Sequence, residues 1–84
     1  MYYMYILKSK VDEKLYTGST SDLRRRLSEH NEGKVASTKH RRPLSLRYYE
    51  AYANEKDARH REQALKRDGR VLAQLKKRIY ESLQ

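Results

Sequence analysis

The fold is decided by three stretches near the N-terminus: Tyr-Met-Tyr-Ile-Leu at 3–7, Leu-Tyr-Thr-Gly-Ser-Thr at 15–20 and Asp-Leu-Arg-Arg-Arg-Leu-Ser-Glu-His-Asn at 22–31. Apolar residues fill both faces of a two-residue alternation in the first stretch, which predicts a strand over 2–8 that is covered on both sides. A second strand is predicted over 14–18, and the short polar connection requires the two strands to be antiparallel. Gly18 ends the second strand in this prediction, where close backbone approach or a positive φ would require glycine.

The third stretch predicts a strongly basic helix over 22–31, preceded by residues that are favoured at helix N-caps. On a helical wheel, the arc that contains the two leucines also contains Arg26 and His30. Arg24 and Arg25 fall outside that arc, so solvation explains them well. Exposure to solvent explains Arg26 less well, because Arg26 lies on the arc of the leucines and is directed towards the core.

The second half of the chain predicts a tyrosine-rich strand over 45–52 and two further helices, over 55–67 and 71–82. Gly69 separates these helices in the prediction. The wheel of the first of them places Glu62 on the inward arc, where an unpaired carboxylate would cost several kcal/mol. Glu62 therefore requires either a partner or a function.

Charge points to a polyanionic partner. Twenty Lys and Arg residues stand against eleven Asp and Glu residues, which gives a formal net charge of +9. On so short a chain, this excess favours nucleic acid over a merely cationic solvated surface. Residues 34–43 form a basic loop or short helix, and the natural phosphate contacts there are Lys39, Arg41 and Arg42.

Length and composition set further bounds. We expect the 84 residues to form a single domain over 1–84, whose core is thin because a domain of this size buries only about 60 % of its extended-chain surface. The absence of cysteine excludes a disulfide framework, a Cys-ligated zinc site and thiol catalysis. No signal-type apolar run precedes the first predicted strand and no stretch approaches a membrane span, so we expect a cytoplasmic protein without membrane association. Oligomeric state is not predicted.

Taken in this order and spacing, the residues resemble the GIY-YIG nuclease superfamily, and within it the small single-domain proteins. The resemblance covers about residues 2–68. The two motifs of the family correspond to Met4-Tyr5-Ile6 and Tyr16-Thr17-Gly18 in this chain. The arginine of the family corresponds to Arg26, and its metal-binding glutamate corresponds to Glu62. A family position that is often His or Tyr is occupied here by His30. Three departures stand out: Met4 replaces glycine, Thr17 replaces isoleucine, and Gln74 stands where many family members have asparagine.

The resemblance implies an α/β fold, in which a small three-stranded antiparallel sheet is flanked by helices. It also implies a metal-dependent endonuclease that hydrolyses nucleic-acid phosphodiester bonds, with DNA favoured over RNA and with weak or partner-supplied specificity. The implied roles are Tyr5 as general base with Tyr16 as its hydrogen-bonded neighbour, Arg26 at the transition-state charge, His30 in orienting Tyr5 or sharing proton transfer, and Glu62 as ligand of one Mg²⁺ or Mn²⁺. Backbone contacts to nucleic acid would come from Arg24, Arg25, Lys39, Arg41, Arg42 and Lys66.

Other interpretations of the same residues stay open. Arg26 and Glu62 would form one buried ion pair if the tyrosines were plain core aromatics. His30 would be an ordinary helix residue and Lys66 a solvated one. The functional alternatives are a non-catalytic DNA- or RNA-binding module on the same scaffold and a basic protein-interaction module.

Overall fold

The computed structural model describes residues 1–84 and contains one sheet of three strands, three α-helices and two 3₁₀-helical turns. The strands are β1 (Tyr2–Ser9), β2 (Leu15–Thr20) and β3 (Leu44–Tyr52); the α-helices are α1 (Leu23–Asn31), α2 (Glu55–Arg67) and α3 (Gly69–Arg78); the 3₁₀ turns are Lys39–Arg41 and Glu81–Leu83. The predicted α/β class, with a three-stranded antiparallel sheet flanked by helices, is confirmed.

The strand order is β2-β1-β3, and both pairings are antiparallel. β1 is therefore the central strand. Its residues from Met4 to Leu7 are all buried. A strand with neighbours on both edges and helices on both faces must be apolar in both directions of its alternation, which is the pattern that the sequence shows.

The two faces of the sheet carry different helices. On one face, hereafter the α1 face, Tyr5, Leu7 and Leu44 form a buried cluster beneath Leu23 and Leu27 of α1. On the opposite face, hereafter the α2 face, a second cluster joins the sheet to α2 and α3; its buried members are Met4, Ile6, Leu65 and Leu75. The small domain thus divides its apolar burial between two thin layers rather than one thick core.

A β-bulge in β3 determines which face of the sheet each tyrosine of that strand occupies. Ile6 pairs with Tyr48 and the next residue, Leu7, pairs with Leu46, so Arg47 is the extra residue. Beyond the bulge the alternation is reversed. Tyr48 therefore lies on the α2 face, whereas Tyr49 lies on the α1 face with Leu46.

Side-chain caps explain where the helices begin. The carboxylate of Asp22 accepts a hydrogen bond of 3.1 Å from the Arg25 backbone N–H, and the side chain of Asn54 caps α2 in the same way. Asp68 does two things: its backbone closes α2, while its side chain accepts from the Arg70 backbone N–H at 2.9 Å and starts α3.

The capping by Asp68 explains one difference from the prediction. The last α-helix begins at Gly69 rather than at 71, and it ends at Arg78 rather than at 82, before a short 3₁₀ turn. β2 also continues past Gly18 to Thr20, because it stays paired with β1 as far as Tyr3. No helix combines the length and the apolar composition that a bilayer crossing requires.

Candidate active site

A chain of three buried polar side chains begins at Tyr5. Its hydroxyl lies 2.9 Å from Nε2 of His30 on α1, and Nδ1 of that imidazole lies 2.7 Å from the hydroxyl of Thr38. The Thr38 hydroxyl is directed at the carbonyl of Val35. We therefore assign the imidazole proton to Nδ1, which donates to Thr38, and the acceptor role to Nε2, which receives the Tyr5 O–H.

Burial sets the protonation of this pair. Loss of solvent, with a smaller effect of the Arg26 charge, lowers the pKa of His30 to about 4, so its imidazole is neutral at pH 7. Burial also raises the pKa of Tyr5 above its ordinary value, and the nearby Arg26 guanidinium offsets this only in part. At rest, a protonated phenol thus donates to a neutral imidazole.

Gly18 is the residue that leaves room for the Tyr5 hydroxyl. The two residues are paired across the strands, and a Cβ built on Gly18 would lie 2.4 Å from the Tyr5 hydroxyl oxygen. Its φ is not in the left-handed region, so close approach, and not a turn, requires the glycine.

Tyr16 contacts Tyr5 and His30 through its ring. The ring centroids of Tyr16 and Tyr5 are 6.5 Å apart, and Tyr16 meets the imidazole edge-on at 5.1 Å. The hydrogen-bond partner of Tyr5 is His30, so the expectation that Tyr16 would fill that position is wrong. The register explains it: Tyr16 is opposite Leu7, two residues along the strand from Tyr5.

Arg26 and Glu62 do not pair with each other. Arg26 Nη1 lies 3.2 Å from Oε1 of Glu29, one turn along α1, and about a third of its side chain is exposed. The nearby Tyr5 hydroxyl raises the pKa of Arg26. The single buried Arg26–Glu62 ion pair, the structural alternative left open by the sequence, is therefore excluded.

Glu62 reaches the same site from α2. Its Oε1 accepts from Ser19 Oγ at 2.6 Å and its Oε2 from Lys66 Nζ at 2.7 Å. Lys66 Nζ also lies 5.6 Å from the ring centroid of Tyr16. The charges of Arg26 and Glu62 both act on the pKa of Tyr5, in opposite directions. β2 is an edge strand with α1 on one face of the sheet and α2 on the other; His30 of α1 contacts Tyr16 of β2, and Glu62 of α2 contacts Ser19 of β2.

The other basic residues predicted to contact nucleic acid differ in their exposure and in their partners. Arg24 is exposed, and Arg25 forms a solvent-exposed pair with Glu29 at 3.6 Å. Lys39 and Arg42 line a surface hollow of about 480 Å³. Arg41 is already engaged by the chain itself: its guanidinium contacts the Asp12 carboxylate at 2.9 Å and the Lys14 carbonyl at 3.1 Å, which ties the β1–β2 turn to the basic segment.

The geometry thus assembles a phenol, a neutral imidazole, a partly exposed guanidinium and a carboxylate at one edge of a small basic sheet. Residues 1–80 match the family described as the GIY-YIG catalytic domain. The chain belongs to the GIY-YIG family.

Within the GIY-YIG family, the chain is similar to UPF0213 proteins. It is 51 % identical over 57 residues to the UPF0213 protein SpyM3_1077 of Streptococcus pyogenes serotype M3, and 49 % identical to that of serotype M5. Each match covers 67 % of this chain and 61 % of the relative, so the chain spans about three fifths of the curated relatives it matches. The solution NMR structure of a UPF0213 protein from Bacillus halodurans aligns with a TM-score of 0.55 at 35 % identity, and covers 98 % of this chain and 93 % of that one.

Two residues of this GIY-YIG site were missed by sequence reasoning. Ser19 is two residues from Thr17 and shares the α2 face of β2 with it, so the two-residue period of the strand predicts that Ser19 is directed towards α2. Thr38 gave no signal, because it lies in a segment without periodicity and is bound to His30 only in three dimensions. Gln74, at the spacing of the family's asparagine, is exposed on α3.

The donor set fits a hard divalent cation held loosely. No group of three or more His, Cys, Asp or Glu side chains is assembled here, so one protein carboxylate and several waters would have to suffice. Mg²⁺ accepts that arrangement, since it retains most of its water in many phosphate sites. Glu62 is the suitable carboxylate, provided that Lys66, whose side chain is about half exposed, releases Oε2.

Proposed function

We propose that this GIY-YIG protein is a metal-dependent endonuclease that hydrolyses phosphodiester bonds of nucleic acid, with DNA favoured over RNA and Mg²⁺, or alternatively Mn²⁺, as its cation. The observation that carries the proposal is the 2.9 Å hydrogen bond from the buried Tyr5 hydroxyl to a neutral His30 imidazole. A core tyrosine needs only some acceptor for its hydroxyl. A tyrosine that accepts a proton from water needs an acceptor that can in turn take the phenol's own proton.

Proton transfer is proposed to run from water to Tyr5 and from Tyr5 to His30. A phenol of ordinary pKa is ionised to only about one part in a thousand at neutral pH, and burial reduces that fraction further in Tyr5. A preformed phenolate is therefore scarce. As the Tyr5 oxygen takes a proton from the attacking water, its own proton passes to Nε2 of His30, while Thr38 holds the Nδ1 side of the ring in place. The water oxygen bonds to phosphorus, the bond from phosphorus to the 3′ oxygen breaks, and the leaving oxygen takes a proton from solvent.

We assign the stabilisation of negative charge at the scissile phosphate to Arg26 and to a cation held by Glu62. The partly exposed guanidinium of Arg26 presents a planar fork to the non-bridging oxygens. Glu62 would hold the divalent cation, which when bound supplies Lewis-acid stabilisation at the scissile phosphate. The freed ammonium of Lys66 would then lie beside the same phosphate group, next to Tyr16.

A second candidate is a non-catalytic nucleic-acid-binding module. It is favoured by the satisfied state of Glu62, whose two oxygens already accept from Ser19 and Lys66, and by the glutamine at position 74. On either alternative, affinity should come mainly from the exposed basic residues, among them Arg24, Arg25, Lys39 and Arg42. Weak or partner-supplied specificity and a cytoplasmic location belong to the proposal as well.

Cleavage of labelled branched, single-stranded and duplex substrates in Mg²⁺, Mn²⁺ and EDTA tests the function. Glu62→Gln and Arg26→Ala are each expected to reduce cleavage by roughly 10³-fold or more, about 4 kcal/mol of barrier, with affinity changed only a few-fold. Glu55→Gln is the matched control, because Glu55 is also a glutamate of α2 that pairs with a basic residue one turn on, but it is exposed at the start of the helix.

Two outcomes would contradict the proposal. If Glu62→Gln and Glu55→Gln cleave equally well, Glu62 does not support the reaction. If the wild type binds these substrates but cuts none of them in either metal, the protein is a binding module, and the second candidate replaces the first.

A further inference from the structure

A groove on the α1 face is not used by the proposed reaction. It has a volume of about 450 Å³, within the range of small-molecule sites, and lies between α1 and the strands β1 and β3. Its walls are aromatic and aliphatic: Tyr3, Leu23, Leu27, Leu46 and Tyr49. We refer to it as the tyrosine groove.

Two aromatic rings in the tyrosine groove remain available to a ligand. Tyr49 is about half exposed, although it is a large aromatic residue in a strand. The rings of Tyr3 and Tyr49 meet edge to face, with centroids 5.8 Å apart. The β-bulge at Arg47 causes this exposure, because it turns Tyr49 onto the α1 face beyond the part that α1 covers.

The tyrosine groove adjoins the hollow that contains Arg26. Ser21 and Asp22, at the start of α1, line both the groove and the neighbouring hollow, of about 260 Å³, that contains Arg26. Arg24 and Arg26 lie on opposite flanks of α1. A strand whose phosphate rests at Arg26 and which crosses the start of α1 therefore brings its next nucleotide to the tyrosine groove.

The side chains that line the tyrosine groove suit a base, with its adjoining phosphate at Arg24. The carboxylate of Asp22, which lines the groove, can accept from an exocyclic amino group of a base, while one of its oxygens accepts from the Arg25 backbone N–H. Arg24, at the rim, forms none of the ion pairs of α1 and can meet the adjoining phosphate. Aromatic walls with a basic rim are the usual features of a single-strand stacking site.

We propose that the tyrosine groove binds one unpaired nucleobase, stacked on Tyr49 beside the scissile phosphate, so that the substrate is single-stranded or branched nucleic acid rather than continuous duplex. A base inside a duplex is stacked on its neighbours and has no free face for Tyr49. The proposal deepens the proposed function and rests on it for the position of the scissile phosphate.

Binding of a fluorescein-labelled single-stranded DNA oligonucleotide, measured by anisotropy in EDTA at one fixed salt concentration, tests the proposal independently of cleavage. Tyr49→Ala is expected to weaken binding roughly 5- to 150-fold, the range for loss of one stacked base, and to change duplex binding less than about two-fold. Tyr49→Phe should bind as the wild type does, since it keeps the ring. Tyr80→Ala is the control, because Tyr80 is similarly exposed but lies outside the groove.

An abasic scan of the same oligonucleotide sharpens the test. One abasic position should weaken wild-type binding by about the factor that Tyr49→Ala does, and the two changes together should weaken it no further, since both remove the same contact. Equal effects of Tyr49→Ala and Tyr80→Ala, additive effects of variant and abasic site, or a monomer–dimer shift caused by Tyr49→Ala would each overturn the proposal. The last result would make the groove an interface between two copies of the chain. Loss of cleavage activity in all proteins, with the binding pattern intact, would refute the nuclease proposal alone.

Discussion

Two networks of tyrosine hydroxyls lie on opposite faces of the same sheet and differ in the charge of their acceptor. On the α1 face, Tyr5 donates to the neutral imidazole of His30. On the α2 face, Tyr48 and Tyr52 both donate to the carboxylate of Glu50. Arg61 of α2 completes the second network, with Nε at 2.9 Å from the same carboxylate.

The acceptor decides what each hydroxyl can do with its proton. Burial, together with the hydrogen bond to the Glu50 carboxylate, raises the pKa of Tyr52 to about 12, and the same two causes raise the pKa of Tyr48. Burial alone would raise the pKa of Glu50, but the bonds from Arg61 and the two tyrosines outweigh it and lower that pKa. The carboxylate stays charged and the hydroxyls stay protonated, which suits a fixed structural contact. The acceptor of Tyr5 is instead an uncharged ring nitrogen that no ion pair engages.

The largest expected effect separates Tyr5 from Tyr52. Tyr5→Phe keeps the ring and its packing but removes the proposed base, so cleavage should fall by roughly 10²–10⁴-fold, about 3–5 kcal/mol of barrier. Tyr52→Phe should leave cleavage within a few-fold, because its hydroxyl only supports Glu50. Single-turnover cleavage rates of both variants provide the measurement. A Tyr5→Phe protein that cuts at the wild-type rate would make Tyr5 an ordinary core aromatic.

The next effect is on stability and concerns Glu50. Glu50→Gln leaves Arg61 without its charge partner and alters the acceptor of two tyrosine hydroxyls, so we expect about 1–3 kcal/mol of destabilisation. In a domain of this size, that lowers the melting temperature by roughly 4–8 °C for each kcal/mol. Thermal unfolding followed by circular dichroism measures the change, with the exposed Glu81→Gln as the control. Equal melting temperatures of the two variants would mean that the Glu50 network does not hold α2 to the sheet.

The smallest effect is the dependence of stability on pH. The two networks are expected to lose their contributions to stability in different pH ranges. The pKa of His30 is depressed from 6.5 to about 4 in the folded protein, so the unfolded chain takes up the proton first as the pH falls. Stability should therefore drop by about 1–2 kcal/mol between pH 6.5 and pH 4, after allowance for solvent near the site. The Glu50 contribution is present above pH 4.5 and is lost below it, as the pH falls through the depressed pKa of the folded state.

Urea unfolding of the wild type and of His30→Asn across this pH range checks the assignment. The variant should lose the slope between pH 6.5 and pH 4 and keep the loss at lower pH. An unchanged slope in the variant would show that another group titrates in that window.

Local patterns in the sequence determined the elements and most of the candidate site. The two-sided apolar run of β1 predicted a strand covered on both faces, and the N-cap residues before α1 indicated where that helix begins. The helical wheels selected Arg26 and Glu62, and the spacing of the motifs led to the family. The strand and helix patterns depend on residues within a few positions of each other, and such short-range preferences are encoded directly in the chain.

Only the tertiary structure decided which side chains are partners. Tyr5 and His30 are 25 residues apart in the chain, and Ser19 and Glu62 are 43 apart. The strand order β2-β1-β3 made β2 an edge that both α1 and α2 can reach, and the bulge at Arg47 sent Tyr48 and Tyr49 to opposite faces. The protonation of Tyr5 and the exposure of Tyr49 follow from these placements. Burial and neighbouring charges act through space, so neither property is set by the local sequence around the residue.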